Sequence, residues 1–250
     1  KGKKIAVPVT IMECPPLKIL SVRFYKNGRV AKEILADNPD KELKKIIKFP
    51  KKKGEKIDDV KDYDDIRLIV YSQVKKTNLK KTPDIIEMGL SGSLDEKINY
   101  VREKINKEIS LSEIFEKGGL ADARGLTKGK GLSGPVKRFG ITLKQHKSEK
   151  GRRRPGSLGP WHPARVIFRV PMAGQMGMFT RAVYNNKIIK IGKPEDLKLK
   201  GITHYGDVKT EYVLIRGSIQ GPQKRQILLT YPLRQTKKQA KKNFEFLELR

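Results

Sequence analysis

Residues 124–165 read RGLTKGKGLSGPVKRFGITLKQHKSEKGRRRPGSLGPWHPAR. This stretch holds 12 Lys and Arg against a single acid, Glu149, together with many Gly and Pro and little apolar periodicity. Roughly forty residues without regular structure would normally count against placement inside a compact domain. A segment that folds only against a polyanionic partner removes that contradiction. The stretch therefore predicts a long basic arm, and we use "the basic arm" for residues 124–165.

The excess positive charge is distributed unevenly along the chain. The 250 residues carry a formal charge of +29, from 56 Lys and Arg against 27 Asp and Glu. Residues 33–118 hold 19 basic and 18 acidic side chains, which leaves 37 basic and 9 acidic for the remainder. A compact protein with this excess normally lies beside a polyanion. The pattern predicts a nearly neutral insertion at 33–118, with nucleic acid facing the other segments.

A basic protein can bind an anionic membrane surface instead of nucleic acid, but this sequence fits a membrane partner poorly. No apolar run approaches the roughly 18 residues that span a bilayer, and no apolar signal segment follows Lys1–Lys4. The single cysteine, Cys14, excludes an intramolecular disulfide framework and fits a reducing compartment. We expect no membrane partner and no homo-oligomer.

Periodicity in the neutral segment predicts a small α/β unit. Ahead of this segment, Ile19–Tyr25 is predicted as a strand that ends at the turn Asn27-Gly28, and within the segment strands are predicted over Ile66–Tyr71 and Asp84–Leu90. Asp40 is expected to cap a short helix that turns Leu43, Ile46 and Ile47 inward. Ser93 and Glu96 form a capping box, followed by apolar residues at helical spacing. That helical face comprises Leu94, Ile98, Val101, Ile105 and Ile109.

The remainder of the chain predicts short antiparallel strands, as in a barrel or a sandwich. The expected strands are Arg165–Val170, Arg181–Ile191 with a turn at Asn185-Asn186, Glu211–Ile219 and Arg225–Tyr231. The fold prediction is therefore mainly β with an inserted α+β unit and a long irregular basic arm.

The glycine-rich part of the basic arm admits three interpretations. Gly129-Lys-Gly-Leu-Ser-Gly134 has the letters of a dinucleotide-binding loop, but Pro135 and basic residues follow where a long helix is required. The favoured interpretation is backbone that approaches phosphates closely. The neutralising cations would be Lys128, Lys130, Lys137 and Arg138. A solvated basic loop is the structural alternative.

The arginine triplet and the single tryptophan also favour RNA. Arg152–Arg154 can pair with phosphates as bidentate forks and stack on bases, although such a triplet is also typical of a solvated patch or a targeting signal. Trp161 lies in Gly-Pro-Trp-His-Pro. A unique Trp is usually a core residue, but the flanking prolines and the basic setting favour a rigid tip that stacks on a base.

The chain offers no catalytic or metal constellation. His146, His162 and His204 lie far apart, and the zinc-protease, phosphate-loop and nucleophile-elbow motifs are absent. Asp207 near His204 lacks a nucleophile. The methionines Met172, Met176 and Met178 fit adaptable packing. We predict that the protein is not an enzyme and uses no cofactor or metal.

Four stretches carry a resemblance to a known family: Asp122–Gly140 (DARGLTKGKGLSGPVKRFG), Gly151–Val166 (GRRRPGSLGPWHPARV), Met172–Gly177 (MAGQMG) and Tyr212–Gly221 (YVLIRGSIQG). They resemble the ribosomal protein L3 family, the universal large-subunit protein. The long α/β insertion and the Trp-His-Pro tip resemble its archaeal and eukaryotic form. Ala6–Glu13 also resembles an early barrel strand. The chain begins after the family's basic N-terminal extension, so it resembles a member lacking that segment. A family histidine just before the arginine triplet is out of register here, since Glu149 occupies that neighbourhood.

The resemblance implies a translation-protein-type β-barrel and an arm that penetrates rRNA toward the peptidyl-transferase centre. It implies barrel segments at 1–32 and 166–250, the α/β insertion at 33–118, and a barrel strand followed by the arm at 119–165. Trp161 would lie at the tip, the arginine triplet on its flank and the lysines at its base. The expected rRNA-binding residues are Arg124, Lys128, Lys130, Lys137, Arg138, Lys144, His146, Lys147, Arg152, Arg153, Arg154, Trp161, His162, Arg165 and Gln175.

The implied function is that of a structural constituent of the large ribosomal subunit, located in the cytoplasm on the ribosome. Its partners would be large-subunit rRNA and neighbouring ribosomal proteins, and it would support subunit assembly. One rival is a free-standing RNA-binding factor, which a high-salt wash would release from ribosomes. The other is an RNA-modifying enzyme with a β-barrel domain, which would require a cofactor site.

Overall fold

The computed structural model describes residues 4–37, 39–50, 57–60, 62–147 and 150–249. The backbone forms two units: residues 1–120, 187–218 and 235–250 make the first, and residues 121–186 and 219–234 make the second. Strands predominate over helices, and the strand pairs with a defined register are antiparallel, so the predicted mainly β class is confirmed.

The described residues contain short strands and few helices. The strands are β1 (Val9–Glu13), β2 (Leu17–Lys26), β3 (Arg29–Leu35), β4 (Asp65–Ser72), β5 (Ile85–Gly89), β6 (Glu108–Ile109), β7 (Leu120–Leu126), β8 (Leu132–Ser133), β9 (Gly174–Gln175), β10 (Thr180–Gly192), β11 (Tyr212–Arg216) and β12 (Ile227–Thr230). The helices are α1 (Leu94–Lys104), α2 (Leu111–Ile114), α3 (Pro135–Phe139) and α4 (Lys237–Ala240).

The α/β part of the first unit is a sheet in the order β3-β2-β4-β5, with β6 paired to β2. Its long central strand, β2, turns into β3 at Asn27-Gly28, where both residues have positive φ as predicted. The pairing of β2 with β4 shifts register between Ile19 and Ser21. Because of this bulge, Ile19 and Val22 join the same apolar cluster although they are three residues apart. Leu20 lies in a separate cluster, so the strand buries side chains on both faces.

This sheet begins upstream of the boundary predicted at residue 33. The strand β2 is its centre, and residue 33 itself lies within β3. The core contains residues from β2, β3, β4, α1 and β6, namely Ile19, Val22, Phe24, Ile34, Ile66, Leu68, Val70, Val101 and Ile109. Residues 1–32, predicted as a barrel segment, therefore supply β2 and the start of β3 to this five-stranded sheet.

Helix α1 begins at the predicted capping box. The Ser93 hydroxyl accepts the Glu96 N–H at 3.4 Å, and the Glu96 carboxylate accepts the Ser93 N–H at 3.0 Å. Val101 is fully buried against the sheet, whereas Leu94, predicted on the same face, is exposed. The Lys97 ammonium, 2.6 Å from the Asp65 carboxylate, lowers the pKa of Asp65 and ties the helix to β4.

The predicted helix after Asp40 is only a single 3-10 turn over Leu43–Lys45. The Asp40 carboxylate accepts the Tyr71 hydroxyl at 2.8 Å, so it does not serve as a helix cap. Leu43 is buried as expected, but the Ile46 side chain is 44% exposed. The inward placement of Ile46 was wrong because the chain leaves the helical path after one turn.

Two β predictions in the later chain were also wrong. Arg165–Val170 is not a strand, since none of its residues pairs with another strand in the described chain and Val170 N–H closes a turn onto Ile167 O. The predicted turn at Asn185-Asn186 is absent, because β10 continues through both residues. Asn185 adopts φ +56 there, and its N–H donates to Asp122 Oδ1 at 2.8 Å. This hydrogen bond stabilises the continuous strand at the position where a turn was predicted.

The strands β1, β11 and β12 lie within predicted segments, whereas β3, β6, β8 and β9 were not predicted. In the first unit β11 pairs with β1 and with the end of β10 around a core of Ile189, Leu197, Tyr212 and Leu214. In the second unit β7 pairs with β12, and the buried Asp122 carboxylate also accepts Leu233 N–H at 3.1 Å. The basic arm begins within β7, which these contacts hold in place.

The predicted boundaries between barrel, insertion and arm stay predictions.

Candidate nucleic-acid interface

Two glycine-rich segments far apart in sequence pair with each other in the second unit. Residues 127–131 lie against residues 174–179, and β8 pairs with β9. Lys130 N–H donates to Met176 O at 3.0 Å, and Met176 N–H donates to Gly131 O at 2.9 Å. Thr127 and Phe179 exchange two further hydrogen bonds. We call this pairing of residues 127–138 with 172–179 the interlock.

The interlock depends on a close backbone approach at Gly177. This residue is buried with φ +79, and a Cβ placed on it would lie 2.0 Å from Lys128 O. No side chain fits at that distance, and the left-handed backbone also favours glycine. The two glycine-rich motifs are thus the two halves of one packed element.

Arg138, at the end of α3, bridges the two halves. Its Nε donates to Gln175 O at 3.1 Å and its Nη1 donates to Met172 O at 3.0 Å. The guanidinium also lies 5.0 Å from the ring centroid of Phe139. The Arg138 side chain is therefore engaged within the chain.

Between α3 and β9 the described residues, 141–147 and 150–173, contain neither helix nor strand. Two hydrogen bonds join Lys144 and Arg152 across this loop: Lys144 N–H donates to Arg152 O at 3.1 Å, and the Arg152 side-chain Nε donates to Lys144 O at 3.0 Å. Nearly all side chains from Lys150 to Arg169 are exposed. The chain is thus irregular over 141–147 and 150–173, whereas the first part of the basic arm, predicted without regular structure, contains the end of β7, β8 and α3.

A model of the family described as Ribosomal protein L3 matches residues 1–249. The chain belongs to the ribosomal protein L3 family. It is 40% identical over 249 residues to the large ribosomal subunit protein uL3 of Methanocaldococcus jannaschii, covering 93% of this chain and 74% of the relative. The uL3 of Archaeoglobus fulgidus is 40% identical over 251 residues, covering 94% and 76%. The uL3 of Nanoarchaeum equitans is 38% identical over 261 residues, covering 99% and 81%.

This match confirms the family that the sequence motifs predicted, so the chain is a ribosomal protein. The relatives carry the names of large-subunit ribosomal proteins and not of enzymes. No helix in the described part of this L3-family chain is long and apolar enough to cross a membrane.

Most of the predicted rRNA-binding side chains of this L3-family member are exposed. The exposed members are Lys128, Lys130, Lys137, His146, Lys147, Arg152, Arg153, Arg154, Trp161, His162, Arg165 and Gln175. Three are half-buried: Arg124, Arg138 and Lys144. The Arg124 Nε is enclosed and has no hydrogen-bond acceptor within the described chain. The exposed majority leaves cationic groups available along the whole arm.

The two most exposed aromatic side chains among the described residues are Trp161, in the basic arm, and Phe168, three residues beyond it; only Trp161 was predicted. The Trp161 side chain is 83% exposed, as expected of a tip residue rather than a core residue. Phe168 is 90% exposed and was missed, because it was placed in the predicted strand Arg165–Val170. The signal that could have found Phe168 is an apolar triplet enclosed by two arginines, Arg165 and Arg169.

The cysteine and histidines give no sign of chemistry. Burial, together with the carboxylates of Glu211 and Glu13, raises the pKa of Cys14 to about 12, so the thiol stays protonated at neutral pH. His204 is exposed, and Asp207 Oδ1 accepts the Gly201 N–H at 2.7 Å. Among the described residues no group of three or more His, Cys, Asp and Glu side chains could hold a metal ion.

Proposed function

We propose that this L3-family chain binds large-subunit rRNA through the basic arm, as a structural part of the large ribosomal subunit. The observation that carries the proposal is the combination of charge and exposure in one irregular segment. Residues 124–165 carry 12 basic residues and one acid, and nine of the 12 basic side chains are exposed. An ordinary domain surface mixes both signs of charge, whereas this segment is suited to a polyanion.

The chemistry of the arm fits RNA in particular. Arg153 and Arg154 present planar forks that match phosphate oxygens. Trp161 and, three residues beyond the basic arm, Phe168 present exposed rings, and bases in irregular RNA stack on such rings. Burying exposed aromatic rings against a partner also removes apolar surface from water. Phosphate neutralisation supplies affinity, and the two rings supply stacking.

We also propose, from the family resemblance, that the basic arm penetrates rRNA toward the peptidyl-transferase centre with Trp161 at its tip. The arm would in this way support subunit assembly. The neutral insertion would face neighbouring ribosomal proteins, because its balanced charge offers little attraction for RNA.

The salt dependence of RNA binding tests this function. Replacing Arg153 and Arg154 together by Gln is expected to reduce the slope of log affinity against log salt by about 1.4–1.8, since each phosphate contact contributes roughly 0.7–0.9. The measurement is filter binding of the full chain to large-subunit rRNA transcribed from the Methanocaldococcus jannaschii gene, at several KCl concentrations.

The control removes two charges from the neutral insertion. Lys44 and Lys45 are exposed in the 3-10 turn, and changing both to Gln lowers the net charge equally. The slope should then stay within experimental error of the original. Equal slope changes in both double variants would mean that charge acts non-specifically, and the arm would lose its assignment as the binding segment.

A further inference from the structure

The irregular loop that carries Trp161 has ends that lie side by side. The chain leaves α3 at Gly140, and residue 172 lies again within reach of α3, as the 3.0 Å contact between Arg138 Nη1 and Met172 O shows. Joining the ends of a loop of this length costs conformational entropy that grows with the logarithm of its length. We call residues 141–171 the arm loop. Contacts between the residues at its two ends must therefore keep these ends together.

Arg138 supplies contacts that close the loop from one side to the other. Its two donors are bonded to two different carbonyls of the returning segment, Met172 O at 3.0 Å and Gln175 O at 3.1 Å. The side chain itself is rooted in α3, where Arg138 N–H donates to Gly134 O at 3.0 Å and Gly140 ends the helix with φ +69. The planar guanidinium thus fixes both a distance and an orientation between the departing and returning chain.

The returning segment is shaped to receive this guanidinium. A Cβ on Gly174 would lie 2.9 Å from Arg138 Nη1 and 3.0 Å from Cζ. Any residue other than glycine would push the guanidinium away from its two acceptors. The Phe139 ring centroid also lies 5.0 Å from Cζ, within cation–π range. The guanidinium is therefore in contact with Gly174 and Phe139 as well as with its two acceptors.

We propose that Arg138 is a positioning residue that closes the base of the arm loop and sets the direction in which the loop leaves the second unit. Arg138 acts by binding carbonyl groups of its own chain. The sequence had instead predicted that it contacts phosphate. The consequence for RNA rests on the proposed function, whereas the closure is a property of the free protein.

Lysine cannot replace Arg138 in this role. Its ammonium is a point charge on a flexible stem and cannot hold two carbonyls in a fixed fork. Arg138→Lys therefore keeps the charge and removes the closure. The matched control is the neighbouring Lys137→Gln, which removes a charge from an exposed side chain on the same helix and leaves the closure intact.

Amide hydrogen exchange of the full chain without RNA tests the closure. In Arg138→Lys we expect exchange at Met176 and Lys130 to be at least about tenfold faster, because their reciprocal hydrogen bonds adjoin the released segment. In Lys137→Gln the same amides should exchange at the original rate. Unchanged exchange in Arg138→Lys would overturn the closure.

Filter binding to the same rRNA transcript tests the positioning. We expect Arg138→Lys to bind at least about fivefold more weakly with an unchanged salt slope, and Lys137→Gln to lower the slope by roughly 0.7–0.9. Faster exchange with unaltered RNA affinity would overturn the positioning role, and so would weaker binding with unaltered exchange, since Arg138 would then contact RNA directly. If the original chain shows no salt-dependent RNA binding, the proposed function fails, while the exchange result still decides the closure.

Discussion

Replacing Gly177 by Ala is expected to destabilise the second unit by about 3–4 kcal/mol. The left-handed backbone of this residue, φ +79, costs an L side chain roughly 1–2 kcal/mol. The new methyl group would also meet Lys128 O at 2.0 Å, so the two segments must separate. Separation breaks the paired hydrogen bonds between Lys130, Gly131 and Met176, each contributing about 1 kcal/mol. Urea denaturation followed by circular dichroism measures the change.

The chain provides a matched control for this substitution at Gly131. Gly131 lies in the same interlock with φ +60, but a Cβ on it would meet nothing within 4 Å. Gly131→Ala should therefore cost only the backbone strain, about 1–2 kcal/mol. If both variants lose the same free energy of unfolding, the close approach at Gly177 does not hold the interlock together.

Replacing Trp161 by Ala is expected to weaken binding to large-subunit rRNA about 5- to 150-fold. This range corresponds to roughly 1–3 kcal/mol for the loss of one stacked base. Because the Trp161 side chain is 83% exposed, the same change should alter the free energy of unfolding by less than about 0.5 kcal/mol. Filter binding at one fixed salt concentration, beside urea denaturation of each variant, separates these two effects.

A flat aromatic ring should restore part of the lost affinity, so Trp161→Phe is expected to bind between the original chain and Trp161→Ala. The control is Val30→Ala, which shortens an apolar side chain that is 46% exposed on β3. It should leave the affinity unchanged. Original affinity in Trp161→Ala would remove this residue from the proposed interface.

Local sequence signals predicted the elements whose stability is decided locally. The capping box at Ser93 and Glu96 and the turn at Asn27-Gly28 each depend on a few adjacent residues, and both occur as predicted. The turn at Asn185-Asn186 failed because two distant partners, Asp122 and Arg234, bond Asn185 and allow β10 to continue. A pair of asparagines indicates a tolerance for positive φ but not whether the chain reverses there.

The candidate interface was predictable in composition and not in arrangement. The distribution of charge along the sequence identified the basic arm and its cationic residues, because charged residues can be counted directly from the sequence. The interlock could not be anticipated, since it joins residues more than forty positions apart through backbone hydrogen bonds. Arg138 has the same residue type as the exposed arginines of the arm, and only its contacts to Met172 and Gln175 distinguish it. Phe168 was missed because an apolar triplet suggests a strand unless the lack of a partner strand is known.

Ultraviolet crosslinking of large ribosomal subunits assembled with this chain tests the central claim most directly, with mass spectrometry of the peptides that cover residues 124–165. The proposed function predicts crosslinks from Trp161 and from the arginines at 152–154 to rRNA near the peptidyl-transferase loop. Assembled subunits in which these peptides carry no crosslinked nucleotide, while peptides of the neutral insertion do, would contradict the assignment of the basic arm as the rRNA-binding element.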